Sequence, residues 1–217
     1  QVGSWEFDVA SNTLTWSDET FRLFEVDRDA FGASYEAFMD AVHPEDRERI
    51  SQAYLDSLTN REPYEISHRI CMPDGRIKWV NERCEMHFDA EGKAVCSTGT
   101  VQDITQRKQA EEALRLYANV FEHSGEAILI SDSHNRILAV NPAFTRLTGY
   151  GIDDIRGEHP QILTAGQALD DTHQAMAAAL EQVGYWQGEV LDRRKDGSLY
   201  PKWMSVSVVR DLDGRLS

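Results

Sequence analysis

Trp5 and Phe7 in "GSWEFD" lie two residues apart in a strand-like run, so alternation puts both rings on one face. Tyr64, His68 and Ile70 share a face by the same rule, as do Glu82, Cys84 and Met86. Gly99 and Val101 in "STGTVQD" are placed to close a wall beside them. An aromatic wall with His68 and Glu82 next to it could stack a flat ring and hydrogen-bond its polar edge. The plainer reading is that Trp5 and Phe7 are core, and that Glu82 reaches solvent or an arginine. In the second half of the chain Trp186, Val190 and Asp192 share a face, and Asn141 opens the stretch "NPAFTRLTGY". No phosphate-cradling glycine loop, metal-binding His/Cys cluster or nucleophile–base pair is visible, so no catalytic or metal site is expected.

The elements that must position these residues occur twice. "MPDGRIKWVNERCEMHFDAEG" (72–92) lines up with "RKDGSLYPKWMSVSVVRDLDG" (194–214), Asp74-Gly75 on Asp196-Gly197. Upstream, "NTLTWSDETFRLFEVD" (12–27) lines up with "NRILAVNPAFTRLTGY" (135–150), Phe21 on Phe144. Each copy opens with two short strands, 3–9 and 13–17 or 126–131 and 136–140, joined by a polar turn containing Asn. Short helices follow. A longer helix then begins after His43-Pro44 or near Leu169, and "DRERISQAYLDSL" carries Ile50, Ala53, Tyr54 and Leu58 at helical spacing. Two long strands turn at Pro73-Asp74-Gly75 or Lys195-Asp196-Gly197, natural hairpin turns. "AVCSTGTVQDI" closes the first copy as a final strand, whereas the second copy reaches Ser217 where that strand should begin. The reading is a first domain over 1–103, a linker helix over 104–122, and a second domain, short of its last strand, over 123–217.

Composition narrows the function. Of 217 residues, 41% are apolar and five are Trp, enough for packed cores. The formal net charge of −15 disfavours nucleic acid and anionic membrane surfaces, which need a basic footprint. No apolar run approaches the roughly 18 residues of a membrane span. A chain that opens at Gln1 inside a strand-like pattern, with no signal peptide, reads as a fragment of a longer protein. Cys71, Cys84 and Cys96 are odd in number and lack Cys-x-x-Cys spacing, which suggests reduced core thiols in a cytoplasmic protein.

In the first copy "GSWEFD", "HPED", "DGRIKWV" and the closing "DIT" before "QRKQAEEAL" resemble the PAS family. In the second the same is true of "NPAFTRLTGY", "GYWQGEVLDRRKDGSLYP" and "RDLDG". The resemblance implies an α+β fold: two PAS domains, each a five-stranded antiparallel sheet with helices on one face around a pocket, joined by a long helix. It implies a sensory role in a bacterial signalling protein, usually upstream of a histidine kinase or a cyclic-dinucleotide enzyme.

The second copy looks especially similar to the flavin-binding PAS domains of redox and aerotaxis sensors, where Trp186 falls on a flavin-side Trp. In light-oxygen-voltage domains a cysteine attacks the excited flavin, and "HPQILT" (159–164) has Pro160 at that position, so adduct photochemistry is not expected. The polar residues that hold the ring edge in that subgroup fall on Ile70, Val80 and Val101 in the first copy, and on Asp192 and Lys202 in the second. The resemblance also offers haem, through His173 on the second copy's long helix, although a solvated helical His is the plainer reading. FAD is the expected cofactor, with haem or none as alternatives. Because the second copy lacks a strand, the flavin is expected in the first, held by Trp5, Phe7, Tyr64, His68, Ile70, Glu82, Cys84 and Val101. Asn141, Trp186 and Asp192 are the alternative set.

The linker carries Ala110, Leu114, Tyr117 and Phe121 on one apolar stripe, with Glu111, Glu112 and Arg115 off it. The stripe could relay a change from the closing strand to a downstream signalling domain of the same chain, or pair two copies in a homodimer. It could equally pack on its own domain.

Overall fold

The computed structural model describes residues 2–29, 32, 34–164 and 171–210, apart from the side chains of Asp171 and His173. The chain divides into two compact units, Gln1–Ala113 and Leu114–Ser217. The division falls inside the linker helix rather than at either of its ends.

In the first unit, β1 (Val2–Asp8) and β2 (Thr13–Trp16) form a hairpin that sets Trp5 opposite Trp16 and Phe7 opposite Leu14. Asp8 makes the turn by accepting from the Ser11 amide at 2.7 Å, and Asn12 takes a left-handed φ of 54°. Three helices follow, α1 (Asp18–Phe24), α2 (Tyr35–Ala41) and α3 (Pro44–Asn60). Ser17 and Ser34 cap the first two. Pro44 opens α3, and the His43 ring accepts from the Glu45 amide at 3.4 Å, so His43 marks the helix start as its sequence context suggests. Along α3 the expected stripe turns inward: Ile50 is buried, and Ala53, Tyr54 and Leu58 are half-buried.

The long strands β3 (Tyr64–Cys71), β4 (Ile77–Phe88) and β5 (Ala94–Asp103) complete one antiparallel sheet of order β2-β1-β5-β4-β3. The β3–β4 turn needs Gly75, which sits at φ 87°. Leu14, Trp16, Leu23, Phe24, Ile70, Met72, Val80 and Val101 form the core between sheet and helices. This is the five-stranded antiparallel α+β architecture that the motifs imply. The cysteines are all free, but only Cys84 is a core thiol; Cys71 is exposed and Cys96 half-buried. Alternation explains the correction, since odd and even positions of a strand face opposite sides.

The "DIT" motif anchors α4 (Thr105–His123) to the sheet. Ile104 donates to the Trp79 carbonyl at 2.9 Å, and the Thr105 hydroxyl accepts from the Trp79 amide at 2.9 Å. The Trp79 ring has the Arg69 guanidinium 5.8 Å from its centroid and the Lys108 ammonium at 5.7 Å.

In the second unit, β6 (Leu129–Ser131) pairs with β7 (Ile137–Val140), and β8 (Tyr185–Arg193) pairs with β9 (Leu199–Ser207). Among the described residues these are two separate two-stranded sheets. Between them lie α5 (Pro142–Thr148), α6 (Ile152–Ile155), a 3-10 turn at Pro160–Leu163 and α7 (Asp171–Val183). The core is Ile137, Phe144, Ile155 and Leu163. The strand expected from 126 begins only at Leu129, because the Asn141 side chain holds the Glu126 carbonyl at 2.8 Å and the Ile128 amide at 2.9 Å. Residues 211–217, which include most of "RDLDG", lie outside the described residues.

Candidate functional site

The inner face of the first sheet and the helices over it enclose a cavity of about 30 Å³. That is room for one or two waters. Trp5, Phe7, Tyr64, Glu82 and Val101, all named from strand alternation, line it. His68, Ile70 and Cys84 are fully buried on the same face of the sheet but stand behind the lining. The cavity also takes Leu14, Trp16, Thr20, Phe24, Tyr35, Phe38, Ile50, Tyr54 and Ser97, which strand alternation did not single out. Ser97 was within reach of that rule, since it lies two residues before Gly99 and four before Val101. The helical contributors are brought in by connections whose path no local period encodes.

The wall is a network of rings. Phe7 lies 6.0 Å from Tyr35 and 6.5 Å from Tyr54, and Trp16 lies 4.5 Å from Phe24. Phe38 of α2 meets the His68 ring edge-on, centroids 6.0 Å apart at 87°. Trp5 lies across Gly99, where a Cβ would come within 2.4 Å of the indole. Glycine there lets the ring lie flat against its neighbouring strand.

One end of this apolar space is polar and unsatisfied. The Glu82 Oε2 and the Ser97 hydroxyl on the lining, and both ring nitrogens of His68 behind it, are buried without a hydrogen-bond partner. His68 Nε2 and Glu82 Oε2 are 3.7 Å apart, too far for a hydrogen bond. Burial pushes the Glu82 carboxyl up to about 8, with the Tyr64 hydroxyl opposing. Burial also pushes His68 down to about 4; Asp46 opposes this and Arg49 adds to it. Burial thus favours the neutral form of each group, and at 3.7 Å the two are not hydrogen-bonded to one another. Burial, and then the charge on Glu82, push the Cys84 thiol up to about 12, which leaves it inert.

The other motifs serve structure. Asp46 of "HPED" holds the Arg69 amide at 2.8 Å and its guanidinium at 3.0 Å through each oxygen, tying α3 to β3. Arg76 of "DGRIKWV" bridges Asp74 and Glu25, both at 2.6 Å.

In the second unit Asp192 and Asn141 are partnered, whereas the buried Tyr200 hydroxyl, opposite Asp192, has no hydrogen-bond partner. Trp186 is half-buried beside buried Val190 and Asp192, so the three do share a face. Asp192 pairs with Lys202 at 2.5 Å. The Asn141 oxygen accepts from Ile128 and Phe144, both at 2.9 Å, and its amide donates to Phe121 and Glu126, so it has no spare polar atom. Pro160 starts the 3-10 turn, and the His173 side chain lies outside the described residues. Among the described residues no three His, Cys, Asp or Glu side chains could hold a metal ion together, and no helix is long and apolar enough to cross a membrane.

Residues 13–101 match the family described as PAS fold, and residues 125–217 match the family described as PAS domain. The chain belongs to the PAS family, with two PAS domains in tandem, and such domains are sensory modules of signalling proteins. It is 27% identical to the probable diguanylate cyclase DgcE of Escherichia coli over 98% of this chain and 20% of that protein. It is 26% identical to the sensor protein FixL of Bradyrhizobium diazoefficiens over 94% of this chain and 42% of that protein. It is 31% identical to the nitrogen fixation regulatory protein of Klebsiella oxytoca over 46% of this chain and 20% of that protein. The chain thus spans less than half the length of these relatives.

Proposed function

We propose that this chain is the sensory segment of a cytoplasmic bacterial signalling protein, with FAD as a redox sensor in the first domain and α4 as the relay. The output, a histidine kinase or similar enzyme, would lie outside these residues. The observation that carries this reading is the unsatisfied, neutral polar end on an otherwise aromatic cavity. Trp5 and Phe7 would flank a flat ring there, and Glu82 and Ser97 would meet its polar edge. The donor chemistry fits a flavin. The volume fits only if a wall gives way, because pockets for ligands of that size run to roughly 300 Å³ or more. The wall suited to this is α2, none of whose residues is buried although Tyr35 and Phe38 line the cavity. When bound, the flavin supplies a ring edge whose hydrogen-bonding sense changes with its oxidation state. The chain's own part is to answer that change on β3 and β4, next to the strand that enters α4.

An absorption spectrum of the purified chain, as isolated and after incubation with FAD, tests this. Bands near ~370 and ~450 nm that follow the protein support flavin, whereas a band near ~400 nm means haem. A transparent protein that takes up no FAD refutes the reading. The exposed α4 stripe favours a second reading, a cofactor-free module that pairs copies through this helix. Leu114 and Tyr117 are 67% and 68% exposed. A transparent chain that sediments as a dimer would support it.

A further inference from the structure

His68 and Glu82 sit on adjacent strands, one pairing with Val80 and the other with Ile66 in the β3–β4 register, and both point to the helix-covered face. Buried polar groups are nearly always partnered, so the unpartnered Glu82 Oε2 and Ser97 hydroxyl on the cavity, with the two His68 nitrogens just behind its lining, mark a place prepared for something else. The two groups are chemically complementary, a proton donor and a proton acceptor; the Tyr64 hydroxyl also acts on the Glu82 carboxyl, but the facing atoms, Glu82 Oε2 and His68 Nε2, have no hydrogen-bond partner.

We propose that Glu82 and His68 form a proton-sharing pair that lets the cavity accept either kind of ligand edge, a hydrogen-bond acceptor or an N–H donor on a flat heterocycle. This rests on the cavity being the flavin site. Towards an acceptor atom, Glu82 stays a neutral acid and donates. Towards an N–H, the Glu82 Oε2–H bond breaks, a bond from that proton to His68 Nε2 forms, and the carboxylate accepts from the ligand. The charge of the pair is unchanged, and no other reactant is needed. The gap of 3.7 Å must close by roughly 1 Å for the transfer, within the reach of a side-chain rotation.

The surroundings set the direction of the transfer. Glu82 is faced by Tyr64 on β3, by Cys84 on its own strand and by Ser97 on β5. His68 is faced by Asp46 and Arg49 of α3, of opposite sign, and is covered by Phe38 of α2. A ligand that displaces α2 therefore lifts the apolar cover from the imidazole. Water then reaches the ring and raises its basicity. Entry of the ligand and readiness of the proton acceptor are thus coupled through Phe38. Glu82 also pairs with Val101 on β5, two residues before the strand ends, so the transfer occurs beside the route into α4.

Infrared spectra of the whole chain, with E82Q and H68N variants, test this. The C=O stretch of a buried protonated carboxyl is expected in the ligand-free wild type at pH 7, absent from E82Q and kept in H68N. Oxidised FAD should leave it in place. FAD reduced by dithionite, which presents an added N–H, should remove it from the wild type and not from H68N. Nitrogen-15 shifts of His68 should then report an imidazolium, and H68N should bind reduced FAD about ten-fold more weakly than the wild type. A ligand-free spectrum without an E82Q-sensitive band overturns the inference. So does bound FAD whose reduction leaves that band unchanged, with the flavin reading intact. Wild type that takes up no FAD in either state overturns the flavin reading and the transfer together.

Discussion

Asp46→Asn should cost the first domain about 2–3 kcal/mol at neutral pH. Three hydrogen bonds from Arg69 converge on this carboxylate, at 2.8, 3.0 and 3.0 Å, and Asp46 is only 6% exposed. The Arg69 guanidinium, with its backbone amide and Arg49 adding to it, holds the Asp46 carboxyl down at about 2 rather than 3.8. That difference corresponds to about 2.5 kcal/mol favouring the folded state when the group is charged. The folded value is depressed, so this stability is present in full above pH ~4 and lost as pH falls from ~4 through ~2. Glu45, which also reaches Arg69 at 2.8 Å, is an exposed partner and replaces little of the loss. Urea unfolding of the whole chain, followed by hydrogen exchange at α3 and β3 amides, measures the first domain separately from the second. The variant should lie about 2–3 kcal/mol below the wild type at pH 7, and the two should converge near pH 2. A gap under about 0.5 kcal/mol at pH 7, or one that persists at pH 2, would refute the assignment.

Gly99→Ala would place a Cβ 2.3 Å from the Arg83 carbonyl and 2.4 Å from the Trp5 ring. Both strands must shift, so a loss of about 2–3 kcal/mol in urea unfolding and altered Trp5 fluorescence are expected, and an unchanged midpoint would contradict the packing. Leu114→Asp changes an exposed position, so the melting temperature should move by no more than about 0.5 kcal/mol equivalent. In the full-length protein the same change should block the response to ligand, and a response that survives intact would exclude the stripe as the relay.

The strands were legible because their chemistry alternates. Burial along β4 reads Val80, Glu82, Cys84 and Met86 inward, the period expected from the residues alone. The Asp-Gly turns fixed both hairpins, and the repeat supplied a second instance of each element. What local pattern could not supply is the helical side of the cavity. Tyr35 and Phe38 enter through α2, seven residues whose position depends on the connection before it. The strand expected at 126 failed for a related reason. Asn141, thirteen residues from Ile128 in sequence, takes up backbone groups that a ladder would otherwise use. Nor could sequence tell whether Glu82 reaches solvent, an arginine or neither; it is the registry of β3 against β4 that leaves it facing His68.

The two copies show what that registry means. Each buries a carboxylate on its long-strand hairpin, Asp192 in the second and Glu82 in the first. Asp192 meets Lys202 at 2.5 Å, and the charge is matched within the hairpin. Glu82 meets no such cation, only the Tyr64 hydroxyl and an imidazole 3.7 Å away, and burial favours its neutral form. An unpartnered buried polar group costs about 1–3 kcal/mol, so four such atoms work against the stability of a domain of this size. Folding gains nothing from them, and an apolar residue at position 82 would pack at least as well. Local conflicts of this kind concentrate where a site serves something other than stability. The second copy, with its buried carboxylate already paired, has the chemistry of a scaffold. The first, with Glu82 on an aromatic cavity and His68 3.7 Å away behind its lining, keeps the unmatched polar group that the proposed flavin site would use.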